Sequence, residues 1–74
     1  MKATDLKNIQ KVVRDNRLVS DRVRKLREMG YTVKECPMGF GRVLQVREMK
    51  RETRIQISTG KGKYNYAYAV IIKK

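Results

Sequence analysis

Residues 19–33, "VSDRVRKLREMGYTV", contain the point at which the sequence changes from a helical pattern to a strand pattern. Val23 and Leu26 lie three residues apart among charged residues, which is the spacing of an amphipathic helix. Gly30 stands where a left-handed C-terminal cap is expected, and from Tyr31 onward the pattern alternates. We therefore expect a helix of about ten residues that ends at a glycine and leads into a strand.

A second amphipathic helix is predicted before this stretch. Leu6, Ile9 and Val13 recur at i, i+3 and i+7, with Lys, Asn and Arg on the other side. The segment "DNRLV" at 15–19 interrupts this period with residues that prefer turns. The sequence thus predicts two helices joined by a short turn.

Each predicted helix has a candidate N-cap. Thr4 and Ser20 carry hydroxyls, which can accept a hydrogen bond from a free N–H group in the first helical turn. Asp5 and Asp21 follow them, and a carboxylate is favourable near the positive end of the helix dipole. Both helices are therefore expected to begin at these positions.

The rest of the chain has the pattern of an antiparallel sheet. The predicted strands and turns are "YTVKECP" at 31–37, "RVLQVRE" at 42–48, "TRIQIS" at 53–58, "TGKGK" at 59–63 and "YNYAYAVII" at 64–72. Leu44 and Val46 are expected on one face of the second strand. The predicted fold class is α+β, with two N-terminal helices forming a helix-turn-helix, then a three- to four-stranded antiparallel β-meander, in one domain over residues 1–74.

The strongest compositional signal is positive charge. The 74 residues contain 19 Lys and Arg against 7 Asp and Glu, a formal net charge of +12, spread over both halves of the chain. Such a charge attracts polyanions, of which nucleic acid is the most common. No apolar run approaches the ~18 residues of a membrane span, so we expect no membrane partner and a cytoplasmic location.

Residue types needed for common catalytic and metal sites are scarce. The sequence has no histidine and one cysteine, Cys36, so a zinc constellation is not expected. The "GKGK" segment at 60–63 lacks the spacing and the Ser/Thr of a nucleotide-binding P-loop. We expect neither metal nor cofactor and no enzymatic activity, and Cys36 is interpreted as a small buried hydrophobe.

Residues 19–33 resemble the second helix and following strand of small winged helix-turn-helix domains of bacterial and phage regulators. These often contain Ser, a Val-x-x-Leu pair, then Leu/Met-Gly-Tyr and a β-branched residue. The resemblance implies that Ser20 opens a recognition helix and that Val23 and Leu26 hold it to the core. It also implies that Asp21 and the basic residues between these positions contact DNA.

A helical projection with Val23 and Leu26 inward places Arg22, Arg24 and Lys25 outward. The predicted nucleic-acid-binding residues are Arg17, Ser20, Arg22, Arg24, Lys25, Arg54, Lys61 and Lys63. In this hypothesis the helix at 20–29 enters the major groove of duplex DNA and a basic β-hairpin lies on the backbone. The protein would be a winged-helix transcriptional regulator or a phage accessory factor, and a domain this small is expected to act as a homodimer or a cooperative array.

Three other interpretations fit the sequence. In the first, the charges on the helix at 20–29 form an ordinary solvated face, with Arg24 paired to Glu28. In the second, the protein is a phage-type inhibitor or interaction protein that binds a nucleic-acid-processing host protein. In the third, it binds RNA or single-stranded DNA through Tyr64, Tyr66 and Tyr68; these side chains would then stack on bases instead of packing into the core.

Overall fold

The computed structural model describes residues 2–37, 42–60 and 66–74. Within these ranges, the elements are α1 (Ala3–Asp15), α2 (Val19–Glu28), β1 (Thr32–Pro37), β2 (Val46–Glu48), β3 (Glu52–Gln56) and β4 (Tyr66–Lys73). The predicted α+β class with two N-terminal helices is confirmed. Neither helix in the described part of the chain has the length and apolar content required to cross a bilayer.

The four strands form one antiparallel sheet in the order β1-β4-β3-β2. Strands β2, β3 and β4 are the predicted meander, and β1 adds to its far edge beside β4. Strands β1 and β2 are consecutive in the chain yet occupy opposite edges, which is the arrangement of a Greek key. Val70 of β4 is paired with Val33 on one side and Ile55 on the other, so these three side chains share one face of the sheet.

Both helices pack on the face that carries these three residues. The fully buried side chains of the resulting core are Ile9, Leu26, Ile55, Ile57 and Val70. Helices and strands contribute to one cluster because the helical period of 3.6 and the strand period of 2 each direct their apolar residues to the same layer. The core is therefore a single layer between the helix pair and one face of the sheet.

Both helices begin earlier than the N-cap prediction placed them. Lys2 and Leu18 occupy the cap positions, and neither makes a side-chain cap hydrogen bond. The backbone N–H of Arg22 donates to the Leu18 carbonyl at 3.2 Å. The first helical hydrogen bond of α2 therefore uses a carbonyl two residues before Ser20. Val19 packs against the core. This burial favours a helix that includes Val19 over one that begins at a Ser20 N-cap.

The predicted end of α2 is confirmed. Gly30 has φ +95°, its N–H donates to the Arg27 carbonyl at 3.0 Å, and the Tyr31 N–H donates to the Leu26 carbonyl at 3.0 Å. These two bonds form a Schellman motif, which satisfies carbonyls that would otherwise lack partners at the helix end. The chain leaves this cap directly into β1.

Tyr31 connects this cap to the other helix. Its hydroxyl donates to Asp5 Oδ1 at 2.9 Å and accepts from Asn8 Nδ2 at 3.4 Å. Loss of hydration on burial raises the pKa of the Tyr31 hydroxyl above its ordinary value. The neutral phenol is thus a structural link between the end of α2 and the first turns of α1.

Strand β2 is shorter than the sequence predicted, because the chain turns at 42–45. Leu44 has φ +70°, an uncommon conformation for a residue with a branched side chain, and it packs against the core. The Gln45 N–H donates to the Arg42 carbonyl at 3.0 Å, which closes the turn. The expectation that Leu44 shares a strand face with Val46 is wrong, since only Val46 lies in β2.

The other face of the sheet carries a smaller apolar cluster, formed by Cys36, Ala67, Ala69 and Ile71. Cys36 is buried, as predicted from the sequence. Desolvation raises the pKa of its thiol, which favours the neutral form. Within the described ranges Cys36 is therefore a packing residue on the face opposite the helices.

Candidate nucleic-acid interface

Helix α2 has the orientation that its sequence predicted. Val23 and Leu26 face the core, whereas Ser20, Arg24 and Lys25 are exposed. The helix presents these polar residues because its apolar residues recur at the helical period and fix its rotation about its own axis. Exposed polar side chains therefore lie on both sides of α2, with Lys25 toward α1 and with Ser20 and Arg24 toward the sheet.

Arg22 was expected to point outward toward DNA, and this expectation is wrong. Its Nε donates to the Asn16 carbonyl at 2.6 Å and its Nη1 donates to the Ile57 carbonyl at 2.9 Å. These bonds join the turn before α2 to the residue after β3. Arg22 therefore positions the start of α2 on the sheet, because a guanidinium has several N–H donors and can bridge two carbonyl groups at once.

Arg24 remains available at the surface. Its Nη2 lies 3.3 Å from Asp21 Oδ1, one turn earlier, in place of the predicted pair with Glu28. The Arg24 side chain is 64% exposed, and an exposed pair of this kind contributes at most about 1 kcal/mol. A phosphate could therefore replace Asp21 as the partner of Arg24 at little cost.

The two helices meet at a groove that brings basic residues together. It has a volume of about 330 Å³ and is lined by Asn8, Lys11, Val12, Asp15, Asn16, Lys25 and Met29. Lys11 of α1 and Lys25 of α2 thus lie on the two sides of one groove. Over residues 2–37, 42–60 and 66–74, neither lysine makes an ion pair.

Helix α1 adds cations that the sequence analysis did not assign to the site. Lys7, Lys11 and Arg14 are exposed at i, i+4 and i+7, so they form a stripe along one side of the helix. Arg14 lies 3.7 Å from Asp15 in a highly exposed pair. The spacing of these three residues in the sequence could have identified the stripe, whereas the family resemblance covers residues 19–33 and does not reach α1.

The other predicted residues lie in different places. Arg17 is exposed between the two helices, close in sequence to the start of α2. Arg54 lies on the sheet face opposite the helices, where its Nε contacts Glu52 Oε2 at 2.7 Å. This hydrogen bond with Glu52 raises the pKa of Arg54. Arg54 is thus separated from the helix residues by the thickness of the sheet.

Lys61, Lys63 and Tyr64 lie outside the described residues. The connection between β3 and β4 nevertheless starts beside α2, since Thr59 lines the same cavity as Val19. The two remaining tyrosines of β4 differ: Tyr68 packs against the core and is half-buried, whereas Tyr66 is 40% exposed. From the sequence, the tyrosine face of this strand could either pack into the core or stack on bases. In the structure, Tyr68 contacts the core.

Comparisons of the chain with protein-family models, with curated proteins and with solved structures found no match. The feature with the clearest chemical consequence is the α1–α2 surface, defined as the exposed residues Lys7, Lys11, Arg14, Ser20, Arg24 and Lys25.

Proposed function

We propose that this protein binds duplex DNA through the α1–α2 surface. The observation that carries the proposal is the groove flanked by Lys11 and Lys25, to which both helices contribute a cation without an ion-pair partner among the described residues. Because both helices pack on the sheet, the backbone positions of the two lysines are fixed before they contact phosphates. The net charge of +12 would add attraction over longer distances.

The arrangement of the helices supports a helix-turn-helix mode of binding. In such domains the first helix crosses the DNA backbone and the N-terminal residues of the second reach base edges in the major groove. Ser20 and Arg24 lie in the first turns of α2, and Lys7 and Lys11 lie on α1. In the proposed complex the first turn of α2, which contains Ser20, lies at the base edges and the stripe on α1 contacts phosphates.

Two arginines of α2 would have a supporting role in this mode. Arg22 binds the Ile57 carbonyl, and Arg27 Nη2 donates to the Val33 carbonyl at 2.9 Å. These bonds fasten both ends of α2 to strands or to residues beside them. A recognition helix fixed in this way is pre-organised, which reduces the entropy lost on binding.

The finer assignment to the winged-helix class, as a regulator or accessory factor, is part of the same proposal. It is supported by the position of the β3–β4 connection, which begins beside the first turn of α2 at Thr59. A basic hairpin in that position would contact the backbone next to the groove that α2 enters. A homodimer would extend the contact to a second half-site.

The test is binding of a fluorescently labelled duplex of about 20 base pairs, two helical turns, at several salt concentrations. The double variant Lys11→Gln/Lys25→Gln should bind more weakly, and its plot of log affinity against log salt should flatten by about two units. The matched control is Lys50→Gln/Arg51→Gln, which removes the same charge from the exposed turn between β2 and β3.

The control variant should retain affinity closer to that of the wild type. If both double variants lose affinity and slope equally, the attraction is a property of total charge and the α1–α2 surface is not the interface. If neither affects binding, or if the wild type does not bind duplex, the proposal is wrong. Circular dichroism of each variant would show that the fold is intact.

A further inference from the structure

A larger groove lies on the other side of α2, between this helix and the sheet. It has a volume of about 710 Å³ and is lined by Val19, Ser20, Val23, Arg24, Arg27, Glu28 and Tyr68. The lining combines apolar residues of the helix and Tyr68 with two arginines, Arg24 and Arg27. An aromatic ring and two guanidiniums thus line one concave surface.

A second cavity, of about 220 Å³, continues this groove along β4. It shares Val19 and Tyr68 with the larger one and adds Glu35, Ser58, Thr59 and Tyr66. Tyr66 and Tyr68 are two residues apart in the strand, so their side chains lie on the same face, about 6.8 Å apart along it. Two aromatic rings are therefore arranged in series, with the arginines of α2 at one end.

We propose that this groove binds unpaired nucleobases of a nucleic-acid strand, and this inference rests on the proposed function. A base would stack on Tyr68, and the phosphates on either side would contact Arg24 and Arg27. Stacking on aromatic side chains next to a cationic surface is the general mode of single-strand binding. The groove adjoins the α1–α2 surface through Ser20 and Arg24, so a strand that leaves a bound duplex could enter it.

The state of Arg27 suits this role. One of its N–H groups is already bound to the Val33 carbonyl at 2.9 Å, which orients the planar guanidinium. The other N–H groups have no partner among the residues that the structure describes, and the side chain is exposed. A fixed guanidinium with free donors binds a phosphate with less loss of freedom than a mobile one.

The carboxylates of the groove favour a nucleotide over an acidic peptide. Glu28 lines the larger cavity and Glu35 the smaller one, where Glu35 is paired across the strands with Tyr68. A peptide rich in Asp and Glu would place its own carboxylates close to these groups, which repel them. A base avoids this repulsion, because its amino groups can donate hydrogen bonds to a carboxylate.

The experiment compares two labelled DNA ligands: a blunt duplex and the same duplex with a short single-stranded overhang. The wild type should bind the overhang ligand about 5-fold to 100-fold more tightly, as expected for one stacked base. Tyr68→Leu keeps apolar bulk at the core and should abolish this ratio. Tyr68→Phe keeps the ring and should retain it.

A second pair of variants makes the result independent of the core packing of Tyr68. Arg24→Gln should reduce the affinity ratio, whereas Lys50→Gln, which removes one charge from the exposed turn between β2 and β3, should leave the ratio unchanged. A ratio of one for the wild type, or an unchanged ratio in both Tyr68→Leu and Arg24→Gln, would overturn the inference. Competition by a poly-glutamate peptide as effective as that by a single-stranded oligonucleotide would overturn it as well.

The failure of this inference can be told apart from failure of the proposed function. Binding of the blunt duplex, with its dependence on Lys11 and Lys25, tests only the α1–α2 surface. The affinity ratio between the two ligands tests only the groove beside Tyr68. A protein that binds blunt duplex with a ratio of one would retain the proposed function and lose the single-strand site.

Discussion

Arg22 of α2 and Ile57, the residue after β3, are joined by a hydrogen bond of 2.9 Å from the guanidinium Nη1 to the backbone carbonyl. The same guanidinium also binds the Asn16 carbonyl. We predict that Arg22→Met lowers the free energy of unfolding by about 2–3 kcal/mol, because hydrogen bonds to a charged group contribute more than neutral ones. Urea unfolding followed by circular dichroism would measure this loss.

The natural control for that variant is Arg24→Met, two residues further along the same helix. Arg24 is exposed and has a single surface pair, so its replacement should change stability by no more than about 1 kcal/mol. Equal stability of the two variants would contradict a structural role for Arg22. Any loss of duplex affinity in Arg22→Met should therefore be accompanied by loss of stability.

Leu26 is a second position whose effect should be on the fold. Its side chain is 0% exposed, in the centre of the cluster that joins α2 to the sheet. Leu26→Ala should destabilise the protein by about 2–5 kcal/mol, as cavity-forming substitutions do. Differential scanning calorimetry would detect this as a lower Tm, and a wild-type Tm would mean that α2 is rotated away from the observed orientation.

Gly30 isolates the effect of backbone conformation. Its φ is +95° and an added Cβ would meet no atom within 4 Å, so a substitution there strains the backbone without creating a clash. We predict that Gly30→Ala costs about 1 kcal/mol and that Gly30→Asn costs less, since Asn tolerates positive φ. Chemical denaturation would rank the two variants by their free energies of unfolding. A Gly30→Ala variant at least as stable as the wild type would contradict the Schellman cap.

The helix pair was predictable because its signals are local. The spacing of Val23 and Leu26 fixed the orientation of α2, and Gly30 marked its end, since each depends only on neighbours within one or two turns. The pairing of β1 with β4 was not predictable, because it joins residues that are 29 to 39 positions apart in the sequence and depends on which edge of the meander is free. The turn at Leu44 was missed for a related reason: an alternating pattern does not show where a strand begins.

The candidate site was predicted in part. Arg24 and Lys25 followed from the helical period and Ser20 from the family resemblance, and each of the three is exposed. Arg22 could not be distinguished from them, because its partners are the backbone carbonyls of Asn16 and Ile57. Every residue has a backbone carbonyl, so the sequence does not show which of them accept a hydrogen bond from a side chain. Backbone acceptors of this kind become visible only when the tertiary contacts are known.

Two carboxylates should make stability dependent on pH. The hydrogen bond from Arg54 lowers the pKa of Glu52, and hydrogen bonds from Lys74 and Thr53 lower the pKa of Glu48. A carboxyl whose pKa is lower in the folded than in the unfolded state stabilises the fold above the ordinary value of 4.5. That contribution is lost as the pH falls below 4.5 and through the lower, folded-state pKa.

Unfolding by urea at about pH 7 and about pH 3 would measure this dependence. The free energy of unfolding should be smaller at the acidic pH, and Glu52→Gln should show a smaller difference between the two values than the wild type. Asp15→Asn is the control, because its pair with Arg14 is highly exposed. An equal pH dependence in Glu52→Gln and the wild type would show that the Glu52 pair contributes nothing.

Variants of Arg54 test whether DNA binding depends on the position of a positive charge or on the total charge. Its guanidinium lies on the sheet face opposite the helices and is bound to Glu52 at 2.7 Å, so it cannot reach a duplex that contacts the α1–α2 surface. Arg54→Gln and Lys25→Gln remove the same charge, yet only Lys25→Gln should weaken binding and flatten the salt dependence, by about one unit of slope. Arg54→Gln should instead lower stability, because Glu52 loses its partner.

Titration of both variants with the labelled duplex at several salt concentrations would compare their affinities and salt dependences. A loss of affinity in Arg54→Gln equal to that in Lys25→Gln would mean that the attraction depends on total charge, and the α1–α2 surface would then not be the interface.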